Sequence, residues 1–191
     1  MKKIAIFASG AGSNAQKIIE YSIHKSALFS VAIIVCNKPG AGVIDIAINY
    51  GIEVLMIEKV RFSNDDGYAS FLKNKNIDAI ILAGFLWKIP EILIQSFQKK
   101  IINIHPALLP KYGGKGMYGM KVHEAVINAK EKLSGITIHL VDEHYDHGKI
   151  IFQTTCEIEE ADTAETLAKK VHQLEHNYFA KVVDEFVGKM E

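Results

Sequence analysis

Short apolar runs alternate with segments of helical periodicity along most of this chain, and no other feature restricts its fold as strongly. The first five runs lie at 4–8, 31–36, 54–57, 79–82 and 101–105. Strands of this kind are buried on both faces and joined through helices, which makes their pairing parallel. The pattern therefore predicts an α/β fold of the Rossmann-like type, with a mostly parallel central sheet flanked by helices. A length of 191 residues fits a single domain, 1–191.

The later part of the chain carries two runs that alternate apolar and polar residues, at 136–141 and 150–156. Such alternation predicts strands with one face exposed to solvent. A long helix follows, for which Asp162 and Glu165 are the expected N-terminal cap. Its apolar face is predicted to consist of Leu167, Val171, Leu174, Tyr178 and Val182. The segment 112–120 contains four glycines, which predicts a mobile loop or lid.

Charge and composition exclude several classes of function. Twenty-two basic residues balance twenty-two acidic ones, so the broad positive field that nucleic-acid binding needs is absent. The apolar run after Met1-Lys2-Lys3 is too short for a signal peptide, and no run reaches membrane-spanning length. We therefore expect a cytoplasmic protein with no nucleic-acid partner and no membrane partner. Cys36 and Cys156 lack disulfide or metal-site spacing and are interpreted as buried, unreactive thiols.

A glycine-rich turn between the first strand and the first helix is a candidate anion site. Free backbone N–H groups and the helix dipole attract an anion at such a turn. Gly10 and Gly12 allow a sharp turn and close approach of a ligand, while Ser13 and Asn14 add hydrogen-bond donors. Ser13 and Gln16 also have the spacing of a capping box. A tight turn without a ligand is the alternative, but the two extra polar donors favour phosphate.

The same turn matches the spacing of a dinucleotide-binding fingerprint through Gly10, Gly12 and Ala15. That motif requires an acidic residue at the end of the second strand, where it binds the ribose. The residues at 35–38 are Val-Cys-Asn-Lys and include none. The sequence therefore favours a lone phosphate over a nicotinamide dinucleotide.

Asn103 and His105 lie two residues apart in the fifth predicted strand, so their side chains point to the same face. The strand stops at Pro106, and open α/β sheets bind ligands at the carboxyl ends of their strands. An amide and an imidazole there suit an acyl transfer, with Asn103 as oxyanion donor and His105 as proton carrier or second donor. The alternative is a polar pair that only bonds neighbouring backbone.

A turn dense in ionisable groups follows the sixth predicted strand and supplies a carboxylate, Asp146. A carboxylate close to His105 favours the imidazolium and can accept a proton through water. A surface turn rich in Asp and Gly has the same composition, which leaves that alternative open. His139, His144 and His147 also suggest a metal site, but no second cluster completes a tetrahedral set, so no metal is expected.

Together these motifs resemble those of the phosphoribosylglycinamide formyltransferases, the glycinamide ribonucleotide transformylases of purine synthesis. The likeness runs nearly from end to end and is carried by Gly-Ala-Gly-Ser-Asn at 10–14, Leu-Ala-Gly-Phe at 82–85, Asn-Ile-His-Pro-Ala-Leu-Leu-Pro at 103–110 and Asp-His-Gly at 146–148. The resemblance implies a Rossmann-like formyltransferase fold. It also implies transfer of the formyl group of 10-formyltetrahydrofolate to the amine of glycinamide ribonucleotide, with no metal.

The resemblance implies roles for individual residues as well. The catalytic set would be Asn103, His105 and Asp146. The ribonucleotide would be bound by Gly12, Ser13 and Asn14 at its phosphate and by Glu175 at its ribose or glycinamide end. The folate pocket would be lined by Leu86, Trp87, Lys88, Ile89, His144 and Tyr145. Trp87 stands where many members of the family carry an arginine, and the glycine-rich segment 113–119 replaces a shorter loop.

Three other functions share part of this pattern. Methionyl-tRNA formyltransferases resemble the same catalytic region but carry a further C-terminal domain and a basic surface, for which this neutral chain is too short. Formyltetrahydrofolate deformylases carry an N-terminal regulatory domain, whereas the first strand here begins directly after Met1. A nucleotide-sensing module would bind the phosphate without turnover. The expected partners are small-molecule substrates, and the expected assembly is a monomer or a homodimer.

Overall fold

The strands and helices follow the predicted α/β order in a computed structural model that describes residues 1–24, 26–64 and 67–190. The strands are β1 (Lys2–Ala8), β2 (Phe29–Cys36), β3 (Glu53–Met56), β4 (Ala79–Leu82), β5 (Ile101–His105), β6 (Leu133–Leu140) and β7 (Ile150–Glu157). The helices are α1 (Ser13–Ser22), α2 (Gly42–Asn49), α3 (Lys59–Asn64), α4 (Gly67–Asn74), α5 (Glu91–Ser96), α6 (Met120–Asn128) and α7 (Ala164–Gly188). Every strand that the apolar runs predicted is present.

These strands form one sheet in the order β3-β2-β1-β4-β5-β6-β7. The strands from β1 to β5 pair in parallel, and β6 and β7 add to them antiparallel. The chain builds to one side of β1 through β2 and β3, and then to the other side through β4 and β5. The turns after β1 and β4 therefore diverge and leave a crevice, the place where open α/β sheets bind ligands. The predicted mostly parallel α/β fold is confirmed.

Each face of the sheet packs against its own helices, because the side chains of a buried strand alternate between the two faces. On one face, Ile4 and Ile6 belong to a core that includes residues of α1, α2 and α7. On the other face, Ala5 and Phe7 belong to a core shared with α3, α4 and α5. All four side chains are at most 1% exposed, so β1 lies at the centre of both cores.

Strand β6 does not have the solvated face that its alternation predicts. Ile136 and Ile138 lie in the core on one side, and Thr137 and His139 are also buried on the other. The second face is covered by the chain that follows β5, since the N–H of Leu109 donates to Thr137 Oγ1 over 3.0 Å. The prediction was wrong because Thr137 and His139 are buried and hydrogen-bond to other parts of the protein. The alternation does hold in β7, at the edge of the sheet.

The two predicted N-terminal caps were also wrong. Helix α1 is preceded by Gly12 in the left-handed conformation, with φ of 83° and no side-chain cap, so Ser13 and Gln16 form no capping box. Helix α7 is capped by Thr163, whose side chain accepts from the N–H of Thr166. The carboxylate predicted there, Asp162, instead accepts hydrogen bonds from Thr166 Oγ1 and Lys170 Nζ. Glu165 lies in the first turn of the helix.

Helices α3 and α6 were not predicted. Helix α6 begins at Met120, directly after the glycine-rich run, and buries Val122, His123 and Val126. The predicted apolar face of α7 is largely confirmed, but Tyr178 is 37% exposed and packs its ring on Phe152, with the centroids 5.2 Å apart. No helix in the described part of the chain is long and apolar enough to cross a membrane.

Both cysteines are free thiols, as predicted, but their environments differ. Cys36 is buried at the end of β2. Cys156 is only partly buried, because it lies on the edge strand β7, and that burial raises the pKa of its thiol. The prediction of a buried thiol therefore holds in full only for Cys36.

Gly135→Ala is expected to lower the free energy of unfolding by about 2 kcal/mol or more, because overpacking a rigid site is destabilising. A Cβ at Gly135 would collide with the carbonyl oxygen of Thr154 in β7 and lie 2.9 Å from Leu108 Cδ2. Gly10→Ala is the matched control, since a Cβ there meets nothing within 4 Å. Urea denaturation of the two variants measures the difference, and equal losses of stability would contradict the close β6–β7 packing.

Candidate active site

One cleft of about 590 Å³ opens at the carboxyl ends of β1, β4 and β5. Its lining includes Asn14 and Glu175, which join α1 to α7, and 86–89, which follow β4. Asn103, His105 and Asp146 lie on its wall as well. The turns on either side of the cleft are joined, because the N–H of Leu86 donates to Ser9 Oγ over 3.0 Å. The sheet thus brings members of all three predicted groups of site residues to one cleft.

The glycine turn at the start of α1 is shaped by its contact with α2. A Cβ at Gly12 would lie 2.7 Å from both Cα and Cβ of Val43, and the residue has a left-handed φ of 83°. Glycine is therefore required here by packing and backbone conformation, before any ligand is considered. Because α1 starts at Ser13, the N–H groups of its first turn have no acceptor within the helix and are available to an anion.

Two side chains of this turn are bonded to α7. Asn14 Nδ2 donates to Glu175 Oε2 over 2.8 Å, and Ser13 Oγ lies 3.1 Å from Nε2 of His172. His172 in turn donates from Nδ1 to the same Glu175 oxygen over 2.9 Å. Asn14 Oδ1 is buried without a partner. Asn14 and Glu175 border the cleft, whereas Gly12 and Ser13 are not among the residues that line it.

Asn103 is held by a histidine that the sequence analysis considered only as a metal ligand. The residue opposite Asn103 in the β5–β6 pairing is His139, and Asn103 Nδ2 lies 3.1 Å from its Nε2. His139 Nδ1 is 2.8 Å from the carbonyl of Leu140, which can only accept, so Nδ1 carries the proton. Nε2 therefore accepts from Asn103. This leaves the second amide hydrogen of Asn103 available to a ligand.

His105 has one ring nitrogen committed and one directed at a carboxylate. Nε2 lies 2.8 Å from the carbonyl of Tyr112 and must donate to it. Nδ1 lies 3.6 Å from Asp146 Oδ2. Burial lowers the pKa of His105, and the nearby Asp146 carboxylate and Tyr112 carbonyl only partly oppose this. The expected imidazolium is therefore not the favoured form in the free protein, because desolvation outweighs the carboxylate.

Asp146 connects the two imidazoles to the glycine-rich loop. Its Oδ2 accepts the N–H of Gly114 over 2.8 Å, and its Oδ1 lies 3.5 Å from His139 Nε2. Burial raises the pKa of Asp146, but the neighbouring His139 and His105 imidazoles and the N–H of Gly114 together bring it below its ordinary value. Asp146 is therefore an ionised carboxylate at neutral pH. Its backbone is left-handed, with φ of 58°, a conformation that Asp and Asn tolerate better than most residues.

The part of the cleft that 86–89 line is mainly apolar. The residues predicted to line a folate pocket all border it: Leu86, Trp87, Lys88, Ile89, His144 and Tyr145. The Trp87 ring packs on the rings of Phe62 and Phe85, with centroids 6.0 and 6.3 Å away. Lys88 is exposed at the rim. This wall can take a planar aromatic group and place an anionic end near a cation.

Sequence reasoning missed two further histidines near the cleft. His123 is buried in the unpredicted helix α6, lines the cleft and has an unpartnered Nδ1; burial lowers its pKa. His172 could have been found from its position three residues before Glu175, a spacing that puts both on one helix face. No group of three or more possible metal ligands occurs in the ranges that the structure describes.

The glycine-rich loop enters the cleft through 114–119. Its first residues are tied down, because Tyr112 accepts from His105, and the N–H of Gly114 donates to Asp146. Tyr112 also donates from its hydroxyl to Glu131 Oε1 over 2.8 Å. The mobility predicted from the four glycines stays a prediction. A movement of this loop would reach both His105 and Asp146 directly.

The sequence profile of the formyl transferase family matches residues 2–183. Phosphoribosylglycinamide formyltransferase of Bacillus subtilis is 38% identical over 192 residues, covering 98% of this chain and 96% of its own. The chloroplastic enzyme of the same name from Arabidopsis thaliana is 43% identical over 187 residues. That match covers 95% of this chain and 64% of the plant protein, so the chain spans less than two thirds of that relative.

Solved structures give the same result. The crystal structure of phosphoribosylglycinamide formyltransferase from Bacillus halodurans superposes with a TM-score of 0.90 at 35% identity and covers 100% of this chain and 97% of its own. The enzyme from Streptococcus pneumoniae gives a TM-score of 0.85 at 31% identity, covering 98% of this chain and 99% of its own. The chain thus belongs to the formyl transferase family and, within it, to the phosphoribosylglycinamide formyltransferases.

Proposed function

We propose that this chain transfers the formyl group of 10-formyltetrahydrofolate to the amine of glycinamide ribonucleotide, a step of purine synthesis. One observation carries the proposal: a single cleft is lined by Asn14 of the glycine turn, by the largely apolar residues 86–89, and by Asn103, His105 and Asp146. Two substrates bound from opposite ends would meet at these three side chains. Membership of the family supports the same reaction.

The ribonucleotide is assigned to the α1–α7 end of the cleft. Its phosphate would accept hydrogen bonds from the free N–H groups at the start of α1, next to Gly12, Ser13 and Asn14. Oε2 of Glu175 already accepts from Asn14 and His172, whereas Oε1 accepts no hydrogen bond from the described residues. That free oxygen suits a ribose hydroxyl or the glycinamide nitrogen, both of which can donate.

The folate is assigned to the opposite end, where the residues present fit it. Its ring system is planar and aromatic in part, and its tail carries carboxylates. Trp87 and Ile89 supply apolar surface, Tyr145 is exposed beside them, and Lys88 is a cation at the rim. The formyl group would then lie near Asn103, within reach of the amine.

The side chains between the substrates supply a donor and a proton path. When an amine adds to a formyl carbon, negative charge develops on the formyl oxygen, and Asn103 is oriented by His139 to donate to it. The amine must also lose a proton. Neutral His105 offers Nδ1 as the acceptor, and ionised Asp146 at 3.6 Å stabilises the imidazolium that results. The imidazolium can return the proton to the departing folate nitrogen.

Direct transfer from one substrate to the other is proposed, with no acyl-enzyme. None of the described residues that line the cleft is a serine or a cysteine. Cys36 and Cys156 lie elsewhere, in β2 and β7. Binding the amine and the formyl donor together makes their reaction effectively intramolecular, which is a large contribution to catalysis in itself.

The expectations about domain extent, partners, assembly, metal and location stay proposals here. The segment 1–191 is taken as one formyltransferase domain that works on small molecules as a monomer or a homodimer. Neither a metal nor a nucleic acid is part of the proposed mechanism. A cytoplasmic location stays a prediction, since the relatives include both a Bacillus subtilis enzyme and chloroplastic enzymes.

The reaction is tested by supplying 10-formyltetrahydrofolate with three acceptors in separate assays: glycinamide ribonucleotide, water alone and charged initiator tRNA. Release of tetrahydrofolate is followed in each. The proposal expects stoichiometric formyl transfer only with the ribonucleotide. Equal release with water alone would indicate a hydrolase, release only with tRNA would indicate the tRNA enzyme, and binding without release in any assay would indicate a sensing module.

Asp146→Asn is expected to lower kcat by roughly a hundredfold or more, the range for losing a proton-transfer partner, while both KM values change little. Asn keeps the size of the side chain and tolerates the left-handed backbone, but it cannot stabilise a protonated His105. Asp142→Asn is the matched control, because Asp142 lines the same cleft but, among the described residues, its carboxylate accepts a hydrogen bond from the N–H of His144 alone. Steady-state kinetics measure both variants. Similar kcat values for the two would show that Asp146 is only a turn residue without a catalytic role.

The assignment of the two ends is tested by a pair of substitutions. Ser13→Ala is expected to raise KM for the ribonucleotide roughly tenfold, by removing a hydrogen bond to a charged group, without changing KM for the folate. Tyr145→Ala is expected to do the reverse, with a several-fold higher KM for the folate. Varying each substrate in turn measures the four constants. If both variants altered the same constant, the ends would be wrongly assigned.

A further inference from the structure

The anion-binding turn is joined to α7 by a closed set of hydrogen bonds centred on His172. Its Nδ1 donates to Glu175 Oε2 over 2.9 Å, and its Nε2 lies 3.1 Å from Ser13 Oγ. The same Glu175 oxygen accepts from Asn14 Nδ2 over 2.8 Å. Nδ1 of His172 therefore stays protonated, and only Nε2 can change between donating and accepting a hydrogen bond.

The state of Nε2 decides what the Ser13 hydroxyl can offer to a ligand. A hydroxyl has one hydrogen to donate. If Nε2 carries a lone pair, Ser13 gives that hydrogen to His172 and presents only lone pairs, which repel an anion. If Nε2 carries a proton, it donates to Ser13 Oγ, and the Ser13 hydrogen becomes available to the anion. The turn therefore favours binding of an anion when Nε2 is protonated and disfavours it when Nε2 is not.

We propose that His172 is a positioning residue for the phosphate end of the ribonucleotide, and that protonation at its Nε2 turns the Ser13 hydroxyl into a hydrogen-bond donor to the phosphate. The inference rests on the proposed function for the identity of the ligand. It goes beyond that function by making phosphate binding depend on a proton held outside the cleft. Binding of a phosphate dianion stabilises the imidazolium in turn, so the ligand takes up a proton as it binds.

The surroundings of His172 favour this behaviour. The titratable groups next to its ring are Glu175, which hydrogen-bonds to it, and His176, whose ring packs on it; Lys17 and Glu20 on α1 act on His176. The hydrogen bond to Glu175 raises the pKa of His172. His176 lies with its ring centroid 4.1 Å away, but burial lowers its own pKa, so it adds little positive charge. Lys17 and Glu20 form an ion pair at 2.7 Å and largely cancel each other.

The test compares KM for the ribonucleotide between mildly acidic and alkaline pH in the wild type, His172→Gln and His176→Gln. A Gln amide keeps a contact with Ser13 but does not titrate. In the wild type the donor state is present below the raised pKa of His172 and is lost above it, so KM is expected to rise roughly tenfold towards alkaline pH. The second ionisation of the phosphate, near pH 6, is common to all three proteins and cancels in the comparison.

His172→Gln is expected to lose this rise, with kcat unchanged, and His176→Gln to keep it. In a Ser13→Ala background, His172→Gln should have no further effect on KM, because the two residues act in series. Parallel pH profiles for the wild type and His172→Gln, or additive effects of the two substitutions, would overturn the proposal.

A binding experiment separates this proposal from the proposed function. Ribose 5-phosphate is titrated into each protein by calorimetry in two buffers of different ionisation enthalpy, which gives the protons taken up per ligand. Uptake that is present in the wild type and absent in His172→Gln supports the proton switch, even if no formyl transfer occurs. Equal uptake in both proteins, or no binding by the wild type, would overturn it, whatever the activity assay gives.

Discussion

The contacts of Asp146 hold the reactive part of the molecule together. One carboxylate oxygen accepts the Gly114 N–H and faces His105, and the other faces His139, the residue that orients Asn103. Through these contacts one ionised side chain fixes a loop and two strands relative to one another. The same position explains the competing influences on His105: burial disfavours its charge, and the carboxylate partly restores it. Proton transfer requires a neutral base whose protonated form is stabilised, and His105 beside Asp146 meets this requirement.

The topology of the sheet determines which residues can take part. The crevice between the turns after β1 and β4 lies where the order of the parallel strands reverses, and β5 adds Asn103 and His105 beside it. Strand β6 then runs antiparallel, which puts His139 directly opposite Asn103 and returns the chain to the cleft at Asp146. Helix α7 supplies Glu175 and His172 from the other side, next to the start of α1. The part of the cleft next to α1 and α7 is therefore built on helices, whereas 86–89 and 144–145 lie in loops.

Much of this could be predicted from the sequence because it depends on local pattern. The apolar runs gave the strands, and the spacing of Asn103 and His105 placed both on one face. What failed depends on tertiary contacts. Gly12 is left-handed and packs so closely on Val43 of α2 that no Cβ fits, and helix α1 begins after it without the predicted cap at Ser13. The role of His139 follows from the β5–β6 register, and that of His172 from the packing of α1 on α7, neither of which a single sequence displays.

The central claim is that Asp146 acts on His105 electrostatically, and an NMR titration of the His105 imidazole tests it most directly. The account predicts that His105 in the wild type titrates below the ordinary histidine pKa, because burial dominates, and that Asp146→Asn moves the pKa lower still, because the opposing carboxylate is gone. The two chemical-shift curves would then be displaced along the pH axis. Superimposable curves for the two proteins, or a higher pKa in the variant, would contradict the account.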